Sequence, residues 1–183
     1  MATFVVETGS ASATANSYAS IADADAYIDN FVRNSTHWTH LSDADKQRYL
    51  REATQTIDLS YGSRFRGYRF SESQGLDWPR SAVTTDDGWL VGADEIPQEL
   101  KDATAEMAWR HLADSGPSNT TGNTTGVIPD RDEGKNIIEE DISVGSIRTK
   151  TKYSGSKTVT KKFRKVELLL RKYLNPAGEM FRA

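Results

Sequence analysis

Three times between Ser20 and Leu112 the apolar residues recur at the spacing of an α-helix, each time with a start or stop signal. In SIADADAYIDNF, Ile21, Ala24, Ile28 and Phe31 share a face. Ser20 is the expected N-cap, and Asp23 stands in the capping-box position. This predicts a helix over 21–32, after which NSTHWTHLSD reads as a loop. Ser42 then caps DADKQRYLREATQTIDLSY, whose apolar stripe is Tyr49, Leu50, Ala53, Ile57 and Tyr61. Gly62 is expected to end that helix in the left-handed conformation. Pro97 opens the third helix at its first turn, with Leu100, Ala103, Met107 and Leu112 inward and Gly116-Pro117 as the stop. Such stripes must be buried against one another, so the expected fold class is mainly α, a bundle of three to four helices.

The run from Gly62 to Pro97 is irregular, with five Gly, two Pro and aromatics between them. It is longer than connections normally run, so its aromatics are expected to pack it down. Within it, QGLDWPRSA reads as a clasp. Trp78 can bury a large face, Pro79 restricts the backbone, and Arg80 can cap carbonyls or pair with a carboxylate. Residues 1–116 are therefore read as a helical bundle with a long packed loop. Residues 117–136, rich in Ser, Thr, Asn and Gly, are read as a flexible linker. Residues 137–183 are read as a small β-hairpin, a C-terminal helix and a tail. IEEDISVGSIRTKTKY and SKTVTKKF are the two strand candidates, with Ser154-Gly155 as the turn. KVELLLRKYL is the helix, ended by Asn175-Pro176.

Composition narrows the function. The chain has 183 residues, 37% hydrophobic and 27% charged, as ordinary soluble domains do. It has no Cys, which excludes disulfides and Cys-ligated metals. No apolar run approaches the ~18–20 residues of a bilayer span, so no membrane association is expected. MATFVVETGSASATANSY does not read as a signal peptide, and synthesis in a cytoplasm is expected. The net charge of −3 conceals a split: +9 from Arg148 to Ala183 and −12 over the rest. A basic end of this kind suits a nucleic acid or an acidic protein surface, and equally a solvated hairpin and helix.

Sites of chemistry are sparse. His37 and His40 flank Trp38 without a third ligand, and His111 stands near a helix end where a cation suits the dipole. No G-x-S-x-G and no P-loop occurs. Asp23, Asp25, Asp29, Asp43 and Asp45 are acidic helix starts, and DRDEG does not meet the calcium-loop pattern. No catalytic residue, metal or cofactor is assigned. RFRGYRF does interleave cations with rings, so Arg64, Arg66, Tyr68 and Arg69 are candidate nucleic-acid contacts. In the alternative, Phe65 and Tyr68 pack inward and the arginine stems cover them.

The order NSYASIADADAYI, REATQTIDLSYGSRFRG, QGLDWPRSAV, DEIPQELKDATAEMAWRHL, DISVGSIRTKTKY and LLRKYL resembles the head–tail connector (adaptor, or head-completion) proteins of tailed bacteriophages. The resemblance runs from Asn16 to Leu174, and the Asn-Ser-Tyr, Trp-Pro-Arg and Ile-Pro words carry most of it. The group is often labelled DnaT-like single-stranded DNA-binding protein, a name given by similarity. The resemblance implies a virion protein, made in the host bacterial cytoplasm, that forms a ring of about twelve copies below the portal protein. The ring would join the capsid vertex to a stopper, tail terminator or tail hub, and packaged double-stranded DNA would pass through it unbound. On this reading the portal or subunit interface draws on Leu169, Leu170, Arg171, Lys172, Tyr173, Asn175, Met180, Phe181 and Arg182. The Ser/Thr/Asn-rich stretch from Pro117 to Thr125 departs from the pattern. The alternative is a DnaT-like single-stranded DNA-binding replication accessory.

Overall fold

The computed structural model describes residues 3–33, 35–115, 137–144, 147–153 and 163–175. They fall into two units: a helical one holding the N-terminal part and the chain from Lys165 on, and a hairpin within Ile128–Arg164. The fold is mainly α.

Helix α1 spans Ile21–Phe31, α2 Thr36–Thr39, α3 Asp43–Tyr61 and α4 Gln98–Ser115. α4 is the central element, packed on both α1 and α3. From Ala103 to Trp109 every residue of α4 is buried, so the stripe read from Leu100, Ala103 and Met107 understates it. Ala103, Ala105 and Ala108 allow neighbours close on several sides, and Leu112 is only half-buried. The polar residues this encloses are satisfied: Thr104 donates to the Leu100 carbonyl at 2.8 Å. The helix begins at Gln98, one residue later than expected, and the Pro97 carbonyl accepts from Leu100 N at 3.0 Å.

The capping box of α1 forms in both halves, with Ser20 Oγ accepting from Asp23 N and Asp23 Oδ2 accepting from Ser20 N at 2.9 Å. Ala24, Tyr27 and Ile28 are buried, but Phe31 is 65% exposed and lies against Tyr27 on the outside. The stretch read as a loop contains α2, which buries Trp38 completely. Trp38 Nε1 and Lys46 Nζ both donate to Asp25 Oδ1, at 2.7 and 2.8 Å. α3 has the predicted bounds, but Gly62 does not turn left-handed. Its φ of −52° carries the chain into a 3₁₀ turn, Gly62–Arg64. A Cβ there would lie 2.1 Å from Asp77 Oδ2, so a side chain at 62 would displace the Asp77 carboxylate.

Helix α5, Arg164–Leu170, runs on into a 3₁₀ turn over Arg171–Tyr173. Val166, Leu170, Tyr173 and Leu174 are buried in the helical unit. Glu106, almost fully buried on α4, gathers Lys165 Nζ at 2.8 Å, Arg110 Nε at 3.0 Å and Tyr27 Oη at 3.1 Å. The C-terminal helix thus belongs to the bundle core and not with the hairpin.

Two short strands of the helical unit, β1 (Tyr68–Arg69) and β2 (Arg80–Ser81), pair antiparallel; the hairpin pairs β3, Ile137–Val144, with β4, Ile147–Tyr153, in antiparallel register closed by Val144↔Ile147. But for Ile137, both strands fall within the first strand candidate, so the hairpin forms inside it rather than between it and SKTVTKKF. The expected Ser154-Gly155 turn, residues 156–162 of the second candidate, the linker 117–136 and the tail 176–183 lie outside the described residues.

Candidate functional site

The long loop is held to the rest of the helical unit around Trp78 and Arg80. Trp78 is fully buried, with Phe65 edge-on at 5.8 Å and Tyr173 edge-on at 5.6 Å. The ring therefore joins the loop to the C-terminal helix. The Trp78–Pro79 peptide bond is cis. Arg80 is 8% exposed and turns its fork onto carbonyls: Nε to Arg66 at 2.8 Å, Nη2 to Gly67 at 2.9 Å and to Phe65 at 3.4 Å, Nη1 to Asp77 at 3.3 Å. Burial draws the guanidinium below its usual range, with Asp77 opposing. This holds two short antiparallel strands, Tyr68–Arg69 and Arg80–Ser81, in register. Gly67 turns the chain into them with φ +68°, where a Cβ would meet the Ser81 carbonyl at 2.2 Å.

The Asn-Ser-Tyr word has a partner role that no spacing announced. Tyr18 is fully buried, and its hydroxyl accepts from Asp77 N at 3.0 Å and Trp78 N at 3.2 Å while donating to Asp58 Oδ1 at 2.5 Å. Burial, with Asp77 close by, pushes the Asp58 carboxyl up to about 7. Burial and Asp58 push Tyr18 well above its usual value. Asn16 accepts from Val5 N at 3.0 Å and donates to the Thr3 carbonyl at 2.7 Å, pinning the N-terminal segment beside it. Glu7, also buried, accepts from the backbone N–H groups of Gly9, Ala11 and Ser12 at 2.9–3.1 Å. Neither Glu7 nor Asp58 carries a local pattern, since their partners are distant in sequence or are backbone amides.

The RFRGYRF cations are engaged. Arg64 pairs with Glu167 at 2.8 Å. Arg66 reaches Asp86 at 2.5 Å and the carbonyls of Thr84 and Leu174. Arg69 donates to the Gln74 carbonyl. Phe65 is buried, whereas Tyr68 is 65% and Phe70 50% exposed. Thr85 N donates to the Trp89 carbonyl in a tight turn that leaves Trp89 76% and Leu90 74% exposed. The loop as a whole sets Arg64, Arg66, Arg69 and Arg80 against Glu72, Asp77, Asp86, Asp87, Asp94 and Glu95.

Of the C-terminal candidates, Leu170 and Tyr173 are buried in the chain's own core. Lys172 Nζ and Tyr173 Oη both donate to Glu99. Burial raises Glu99, but those two donors outweigh it and hold the carboxyl below its usual value. Leu169 and Asn175 are half-buried and Arg171 is exposed. Met180, Phe181 and Arg182 lie outside the described residues. The histidines are not brought together: His40 Nδ1 meets the Thr36 carbonyl, and His111 meets Thr56 and Glu52. Among the described residues no three His, Cys, Asp or Glu form a metal-sized group.

Two of the three words that carry the resemblance, Asn-Ser-Tyr and Trp-Pro-Arg, thus meet in one clasp. A family model described as "Putative DnaT-like ssDNA binding protein" matches residues 2–183. The chain belongs to this family. The match covers the clasp, the hairpin and α5 alike. No curated protein and no solved structure matches the chain.

Proposed function

We propose that this chain is a non-catalytic assembly subunit, a head–tail adaptor that forms a ring below the portal of a tailed bacteriophage and joins it to a tail or neck protein. The phage part of the reading rests on the ordered words from Asn16 to Leu174. One observation supports docking to protein. The arginines of RFRGYRF turn onto carbonyls and carboxylates, while Tyr68, Phe70, Trp89 and Leu90 stay exposed beside acidic residues. A phosphate backbone needs free cations on such a face, and a protein partner does not. No described helix is long and apolar enough to cross a membrane.

The family description favours a second reading, single-stranded DNA binding in a replication accessory. Its positive charge would come from the segment after Arg148 rather than from the loop arginines. Negative-stain imaging of the protein mixed with its cognate portal is expected to show a ring capping the portal. Absence of that ring, together with micromolar or tighter binding of a single-stranded oligonucleotide that weakens steeply with salt, would establish the second reading instead.

A further inference from the structure

Four of the exposed large apolar side chains, Tyr68, Phe70, Trp89 and Leu90, lie on one loop that is rigidly rooted through Arg66, Arg80 and Trp78. A loop held this firmly while showing rings to water has the form of a preorganised docking face. Its surroundings choose the occupant. Asp87 and Asp94 are exposed on the same loop, and Arg66 is already paired with Asp86. The complementary charge lies in the same sequence: from Arg148 to Lys162 there are six Lys or Arg and no Asp or Glu.

We infer that the Tyr68–Leu90 loop of one copy is covered by the basic segment 148–162 of a second copy, in a head-to-tail contact. An isologous contact would set acidic loop against acidic loop, whereas a head-to-tail one sets opposite signs together. The inference rests on the proposed assembly role, and gives that role one interface.

The chain has no Cys, so introduced thiols report cleanly. Leu90→Cys and Thr158→Cys proteins, each otherwise intact, are mixed and treated with a short bismaleimide. A Leu59→Cys partner serves as control, since Leu59 is 81% exposed on α3. The expected result is a 90–158 cross-linked dimer well above the 59–158 control. Its yield falls about fivefold with Asp87→Lys/Asp94→Lys, or in 0.5 M salt. No excess over the control overturns the inference. A cross-link formed only within one chain of the double-cysteine protein, or protection of Leu90→Cys by a single-stranded oligonucleotide, also overturns it. Portal-capping rings formed unimpaired by Asp87→Lys/Asp94→Lys would place the subunit contact elsewhere and leave the adaptor reading standing. A cross-link without such rings would do the reverse.

Discussion

Trp78 and Asp58 are the two side chains on which the loop's attachment turns. The indole has no hydrogen-bond partner for its Nε1 among the described residues, so its contribution is packing against Phe65 and Tyr173. Trp78→Ala is expected to cost ~3–5 kcal/mol, and Trp78→Phe less than about 2 kcal/mol, by chemical denaturation. Equal losses for the two would mean that shape is not what matters there. Asp58 gives a pH signature. Its folded value of about 7 lies above the ordinary carboxylate value of ~3.9, so the folded state keeps a proton the unfolded chain gives up. That stability is fully present below about pH 4 and is lost as pH climbs through about 7. Its size is of the order of 3–4 kcal/mol. Glu99 and Asp23, both lowered, act only at more acidic pH. Between pH 5 and 8 the denaturation midpoint should fall in the parent and change much less in Asp58→Asn. A parallel fall in both would exclude Asp58 as the cause.

At the scale of elements, the bundle is tied together by α4, and its buried Glu106 does the tying to α1 and α5. Glu106→Ala removes the partner of Arg110 and Lys165 together. A loss of about 2–3 kcal/mol is expected from thermal or chemical unfolding, below the usual range for a buried pair because Lys165 can turn to water. A loss under about 0.5 kcal/mol would show that α5 is held by its apolar face alone. The bounds of α1 and α3 were legible because Ser20, Asp23 and Ser42 signal locally and their apolar stripes repeat. The wholly enclosed middle of α4 was not, because Glu106 reads as a surface residue until Lys165 and Tyr27 arrive from other helices. α2 was missed because four residues are too few to show a period, although Trp38 could have hinted at burial. Gly62 was misread because its neighbour Asp77 is distant in sequence. The Trp-Pro-Arg clasp was legible in residue type. Its lock, Tyr18 with Asp58, became visible only once residues forty apart had met.

For the molecule as a whole, the split of charge and the split into two units coincide only in part. The basic C-terminal part of the sequence supplies β4 and the segment after it, and then returns to complete the acidic bundle through Lys165 and Lys172. Removing residues 176–183 should leave the bundle intact, since Leu174 and Tyr173 remain, and should abolish capture by the portal. Unfolding within about 0.5 kcal/mol of the parent, with portal pull-down lost, is the expected pair of results. Retained pull-down would remove the tail from the interface. Because α5 returns to the helical unit, the stretch from 128 to 164 is a separate unit inserted within the bundle's sequence. Insertions, deletions and changes of charge there are expected to leave the bundle's interior as it is. Natural variants of this architecture should therefore diverge most in that excursion, and one bundle could be refitted to a new neighbour by exchanging it alone.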